Sequence, residues 1–225
     1  MSKQTLFLFS LTVAFPAIAG LVRLRKIERS YYPFLIYLFV SVFNELLVRF
    51  AVPVSSRAAR TIDWHLFNLF ESIILILQFY YWKVFDHFKK LFVAGFVLLI
   101  VVWIVENLVV STILKFNPVY LIGYSFTIVL LSVQTINHII VHQNQTSSLS
   151  RNAMFIICVG LVIFFIYNIF VFTLQAKGIS KTNKVLMTKV FEIRVYINAF
   201  SNILYGIAIC LIPQKISRKN FFTEP

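Results

Sequence analysis

The sequence predicts an all-α membrane protein, a single bundle of seven transmembrane helices with the N-terminus outside and the C-terminus cytoplasmic. Three observations predict it. Hydrophobic residues make up 60% of the 225, and 25 are Phe, more apolar surface than one soluble core can enclose. A spanning helix needs roughly 20 apolar residues, and seven continuous stretches qualify: 5–24, 31–54, 62–82, 91–110, 119–140, 153–174 and 190–212. Membrane β-barrels read instead as alternating segments of roughly ten residues. The connections are too short for a soluble domain, so residues 1–225 form one domain, with 213–225 as a basic cytoplasmic tail.

Helix one is preceded by Lys3 and contains Ala17-Ile18-Ala19, which looks like a signal-peptide cleavage site. Arg23, Arg25, Lys26 and Arg29 follow at once and resist export, so the segment is expected to be retained. Helix two carries Asn44, Glu45 and Arg49 from mid-membrane to the outer half, with Glu45 and Arg49 four residues apart, the spacing of an ion pair. Helix three has His65, Asn68, Glu71 and Ser72 at spacings of three and four, hence on one face. Helix four ends in Glu106 and Asn107. Helix five closes with His138 and His142 at i, i+4, a chelating spacing. With His87 in a connection and Asp86 alone for carboxylate support, it predicts no metal site. Helix six holds Tyr167 and Asn168 near its outer end. Helix seven holds Asn198, Ser201, Asn202 and Tyr205, again three and four apart.

The orientation follows from Lys and Arg in the connections. With the N-terminus outside, the cytoplasmic side collects Arg23, Arg25, Lys26, Arg29, Lys83, Lys89, Lys90, Arg151, Lys215, Arg218 and Lys219, eleven in all. The outer side collects nine: Lys3, Arg57, Arg60, Lys115, Lys177, Lys181, Lys184, Lys189 and Arg194. The first loop decides. Tyr31-Tyr32 and Phe79-Tyr80-Tyr81-Trp82 then fall at inner boundaries, where interfacial aromatic anchors belong, and Ala17, Gly20, Gly160 and Gly206 are expected at close helix contacts.

A charge at the bilayer centre costs at least about 2.5–3.5 kcal/mol, so intramembrane acids face an interior with a partner. Glu45, Glu71, Glu106 and their polar neighbours lie at overlapping depths. The expected site is a carboxylate-containing pocket in the extracytoplasmic half, formed by Glu45, Arg49, His65, Asn68, Glu71, Glu106, Asn168, Asn198, Asn202 and Tyr205. Within it Glu71 is expected to meet Arg49 across helices two and three, or to carry a proton. The bland alternative for the Asn residues is interhelical hydrogen bonding, worth about 1 kcal/mol each.

The net charge of +13 is spread over loops at both faces, matching topology and anionic headgroups rather than nucleic acid. No Schiff-base lysine lies in helix seven, no repeated Pro-Gln marks a three-helix sugar or amino-acid transporter, and no Gly-rich phosphate loop or GxSxG occurs. No cofactor is implied. Three functions remain open: a receptor-like or accessory module binding a small or lipid-derived ligand and signalling to a partner membrane protein, a lipid-acting intramembrane enzyme using Glu71 as acid or base with His65 or Glu45 assisting, and a proton-coupled transporter.

The segments WHLFNLFESIILILQFYYW (64–82) and INAFSNILYGIAI (197–209) resemble stretches of small seven-helix integral membrane proteins of Bacteroidota-type bacteria, a group of uncharacterised role. In that group a polar-then-Glu pattern opens the third helix and an Asn-rich pattern the last, matching His65, Asn68 and Glu71, then Asn198 and Asn202. The resemblance implies a multi-pass protein of the bacterial inner membrane, with lipids as its surroundings, and implies no activity.

Overall fold

Proline placement decides how the chain begins. Pro16 has no N–H to give the Thr12 carbonyl and its ring crowds that carbonyl. The first apolar segment accordingly bends through a 3-10 turn at Leu11–Val13, between α1 (Lys3–Ser10) and α2 (Ala14–Arg23). The Ser10 and Thr12 hydroxyls donate to the Phe7 and Phe9 carbonyls across the bend, at 2.9 and 2.7 Å.

The computed structural model describes residues 3–50, 57–83, 89–110, 112–142 and 149–213. The described chain continues as α3 (Tyr32–Phe50), α4 (Arg57–Tyr81), α5 (Lys89–Ile104) with a π-helical end at Val105–Val110, α6 (Pro118–His142), α7 (Ala153–Ala176), the short α8 (Ile179–Thr182) and α9 (Lys184–Leu211). It is all-helical, and six of its helices are long and apolar enough to cross a membrane; Phe7–Arg23 is a shorter apolar helix. The tail expected at 213–225 lies, beyond Pro213, outside the described residues.

Helix–helix contacts close a ring in the order α3, α4, α6, α7, α9 and α1–α2, which returns to α3. α5 stands outside, against α4 and α6, and is the least buried of the six spans. For direction, the bundle end holding Arg23, the start of α3 and the C-termini of α4 and α9 is the Arg23 end; the opposite is the Lys115 end.

Close approaches depend on glycine at three points. A Cβ on Gly160 would come within 2.6 Å of the Tyr205 ring, one on Gly20 within 2.7 Å of Leu35, and one on Gly206 would overlap Phe15. α7, α2 and α9 can therefore press against their neighbours' side chains directly. The Arg23 end is packed with buried Phe34, Leu35, Leu75, Phe79, Leu161 and Ile209, all in one cluster. Tyr31 and Trp82, expected as interfacial anchors, are instead buried and meet edge to face at 5.8 Å, while Tyr80 and Tyr81 are exposed. The ring interior captured half of that aromatic set because Tyr31, Phe79 and Trp82 point inward from their helices.

Polar groups at this end serve helix termini. Buried Gln78 accepts from the Phe34 N–H at 2.8 Å and donates to the Ser30 carbonyl at 2.7 Å, satisfying an orphan donor at the start of α3. Arg23 donates to the carbonyls of Ile209 and, at 3.2 Å, Ile212. Pro213 has no N–H to give Ile209 in the helical pattern, and the Arg23 guanidinium takes that place.

Candidate functional site

α4 turns Leu66, Phe70 and Leu77 outward and buries His65, Asn68, Glu71 and Ser72 on the opposite face. At its middle, Glu71 is 5% exposed and reached from three other helices. Tyr124 of α6 donates to its Oε2 at 2.5 Å, the Tyr37 side chain of α3 lies close to it, and the charge of Arg194 on α9 acts on it. The Tyr124 hydroxyl lies 3.3 Å from Asn68 Oδ1 as well, while Asn68 Nδ2 donates to the Trp64 carbonyl at 2.6 Å. One turn along α4, Ser72 shares a hydrogen bond with Tyr120, whose ring stacks on Tyr124 at 5.5 Å.

Tyr205 completes this layer. Helical side chains lean toward their own N-terminus, which aims Tyr205 from the Arg23 half of α9 toward Glu71. The two interact electrostatically, and the ring meets Phe34 edge to face at 5.1 Å. Its hydroxyl is buried with no hydrogen-bond partner among the described residues. An unpaired buried hydroxyl costs about 1–3 kcal/mol, so this donor is held ready at a price in stability.

Toward the Lys115 end the polar layer continues. Arg194 is partly buried; its Nε donates to Asn168 Oδ1 at 2.8 Å and its guanidinium lies 5.4 Å from the Phe172 ring centroid. Glu45, also partly buried, lies near Ser10 and within electrostatic reach of Arg194. Tyr167 faces Arg194 and donates to the Val190 carbonyl at 2.9 Å. A guanidinium fixed by an amide on one nitrogen and an aromatic face beneath it suits a partly desolvated cation better than a lysine would.

The structure thus brings together Glu71, Asn68, Tyr205, Glu45 and Asn168 of the expected site, with Arg194 as the cation common to the two acids. Arg194 was counted among the outer connection's cations; α9 begins at Lys184, so Arg194 stands nearly three turns inside the helix. The side chain of Arg49, the expected partner, lies outside the described residues. Arg194 was legible as a site residue: Arg194, Asn198, Ser201, Asn202 and Tyr205 repeat at three and four. Tyr37 and Tyr124 carried no such signal, being aromatic residues in apolar runs.

Other expected members are placed elsewhere. Glu106 accepts from the backbone N–H groups of Val119 and Tyr120 at 2.8 and 2.6 Å, binding the first turn of α6, where free donors and the helix dipole favour an anion. His65 Nε2 lies 2.8 Å from the Lys115 carbonyl, joining α4 to the connection before α6. Asn202 donates to Thr12 Oγ1 at 3.0 Å, bracing α9 on the 3-10 turn, and Asn198 sits partly buried between Arg194 and Asn202. Among the described residues no three His, Cys, Asp or Glu side chains converge on a metal position; His87 and the His142 side chain lie outside them. Comparison with protein-family models, curated proteins and solved structures returned no match, leaving the geometry to carry the functional reading.

Proposed function

We propose that this chain is a seven-span protein of a bacterial inner membrane, with Phe7–Arg23 as its first span and its Lys115 end outside, and that its Glu71 centre binds a small or lipid-derived ligand and relays the bound state to a partner membrane protein. One observation carries the reading. Polar side chains surround Glu71 and extend from it toward the Lys115 end through Ser41, Glu45 and Arg194, while toward the Arg23 end the large side chains Phe34, Leu75, Phe79, Leu161 and Ile209 fill most of the interior and Gln78, Ser132 and Thr135 are the buried polar residues among them. A polar cup closed beneath by hydrocarbon has the makings of a binding site. The partnerless Tyr205 hydroxyl supplies an unspent donor on its floor.

The orientation gains support from Arg194. Placed inside α9, it leaves the outer loop tally and widens the excess of loop cations on the opposite face. The competing readings draw less support. A transport relay needs connected polar groups past Glu71; Gln78 on α4 is committed to the start of α3, Thr135 on α6 donates to the Leu131 carbonyl, and the buried Ser132 hydroxyl bonds to nothing among the described residues. An enzyme pairing Glu71 with His65 needs the two side chains in contact, whereas the described hydrogen bonds take His65 to the Lys115 carbonyl and Glu71 to Tyr124.

The test is a mass-spectrometric survey of small molecules and lipids copurifying with the wild-type protein and with Glu71→Gln, both in native nanodiscs. A species retained by wild type and lost from the variant is expected. Identical profiles for two folded proteins would remove the binding reading.

A further inference from the structure

We infer that residues 112–117 form a lid over the Glu71 cup, and that a small water-soluble molecule reaches Glu71 from the Lys115 side of the membrane when Phe116 swings away. This rests on the reading of Glu71 as a binding centre and adds to it the route and the gate. Trp64 of α4, Phe116 of the lid and Phe172 of α7 meet pairwise. Trp64 and Phe116 stack at 5.5 Å, Trp64 meets Phe172 edge to face at 6.1 Å, and the Phe116 and Phe172 rings lie 6.5 Å apart. α6 stands between α4 and α7 in the ring, so the contact of Trp64 with Phe172 crosses the interior. Trp64 precedes Glu71 by seven residues, about two turns, which sets the three rings on the Lys115 side of the acid. Exposure falls in the same direction, from 38% at Phe116 through half-buried Trp64 to 1% at Phe172. Beneath the rings comes the polar layer: the Arg194 guanidinium lies 5.4 Å from the Phe172 centroid and is bonded to Asn168, and Asn68 donates to the Trp64 carbonyl. A molecule entering there meets Arg194, Asn168 and Asn68 first, a lining that suits a polar solute rather than an acyl chain.

The way the segment is held makes it a lid. Its base is tied twice where the end of α5 meets the start of α6. Glu106 accepts from the Val119 and Tyr120 N–H groups, and Asn117 donates to Asn107 Oδ1 at 3.0 Å. Glu106 and Asn107 both belong to the π-helical end of α5, a geometry that is rare and recurs at functional sites. Between these ties the Lys115 N–H donates to the Thr112 carbonyl at 2.9 Å and folds the tip into a turn. The tip is latched to the ring by the Phe116 stack, by half-buried Ile113 and by one hydrogen bond, in which the Lys115 carbonyl accepts from His65 Nε2 at 2.8 Å. A carbonyl only accepts, so that nitrogen carries the proton. With a fixed base and a lightly held tip, the tip can part from α4 and α7 while α5 and α6 stay joined. α5 lies outside the ring, so this movement displaces no ring helix. At the opposite end Phe34, Leu75 and Phe79 fill most of the interior, which leaves the lid side as the way in from water.

The experiment follows thiol labelling of Asn68→Cys in the full chain in nanodiscs, with Cys210→Ser, by a charged methanethiosulfonate that does not enter lipid. The remaining cysteine, Cys158, is buried, and the chain with Cys210→Ser alone gives its background. Labelling is expected to be slow with the lid intact. Phe116→Ala and His65→Ala are each expected to speed it at least about fivefold, the change that losing one ring contact or one hydrogen bond makes to a closed–open equilibrium. His65→Gln keeps a side-chain donor for the Lys115 carbonyl and should label near the parent rate, as should Phe70→Ala on the outward face of α4. Thermal unfolding checks that each variant is folded. A parent rate in either Phe116→Ala or His65→Ala, or an equal rise in His65→Gln or Phe70→Ala, overturns the inference. So does a lipid-soluble maleimide that reaches position 68 faster than the charged reagent and at one rate in every variant, since entry is then from the bilayer. Copurification of a species lost on Glu71→Gln would stand under any of those outcomes, which separates this failure from failure of the binding reading.

Discussion

Replacing Arg194 with Gln tests the architecture of the site most directly. The substitution removes the charge that acts on both Glu71 and Glu45, the Nε donor to Asn168 and the cation over Phe172. Removing one partner of a fully buried pair costs about 3–5 kcal/mol. Arg194 is partly exposed, and solvent lowers the worth of such pairs toward about 1 kcal/mol or less. An intermediate loss of about 2 kcal/mol is expected, including the hydrogen bond to Asn168. The decisive quantity is the coupling. If Arg194 and Glu71 act on each other, Arg194→Gln should cost at least about 1 kcal/mol less in a Glu71→Gln background, within the range seen for contacting groups. Arg49→Gln, the partner suggested by spacing alone, should add to Glu71→Gln within about 0.5 kcal/mol. Equilibrium unfolding in mixed micelles, monitored by Trp fluorescence, gives the four corners of each cycle. Additivity at Arg194 together with coupling at Arg49 would refute the assignment of the cation.

Three further outcomes follow from the same contacts. Tyr205→Phe removes a hydroxyl that bonds to nothing among the described residues, so stability should hold or rise; a loss above about 1 kcal/mol would reveal a partner for it. Gly160→Ala forces a methyl against the Tyr205 ring and should cost about 1–3 kcal/mol, whereas Gly95→Ala on α5, with nothing within 4 Å, should be neutral or slightly stabilising, and reversed rankings in thermal unfolding would contradict the packing. Glu106→Ala should lose about 1 kcal/mol, typical of a cap, and speed hydrogen exchange at the Val119 and Tyr120 amides. Unchanged exchange at both would place that carboxylate elsewhere.

Much of the helical layout was legible because a bilayer imposes length and continuity that single residues cannot hide. The inward face of α4 was equally legible: three- and four-residue spacing put His65, Asn68, Glu71 and Ser72 together, and burial follows from that. What escaped was pairing between helices. Glu106 and Glu71 look alike in sequence, acids among apolar residues, and separate only when the first turn of α6 arrives to claim Glu106. Arg194 looked like a loop cation because it sits at the start of the apolar window 190–212, whereas α9 begins six residues before that window, with Lys184 and Lys189 tolerated by long stems that reach water. Tyr37 and Tyr124 could have been core filler or anchors; their closeness to Glu71, invisible in one dimension, gives them their place. The early 3-10 bend was half legible, since Pro16 was in view and its effect on the Thr12 carbonyl follows from proline's missing donor.

The clasp between Arg23 and the Ile209 and Ile212 carbonyls bears on how the chain is made. Its two halves lie 186 and 189 positions apart, so nearly the whole polypeptide must leave the ribosome before the ring can shut. Until that moment the opening segment, short and interrupted at its middle, has α3 as its neighbour on one side alone, and the acidic centre stays open on its α9 side. Assembly is therefore committed at the last inserted element, and a nascent chain stalled before α9 exposes its unfinished seam to membrane quality control.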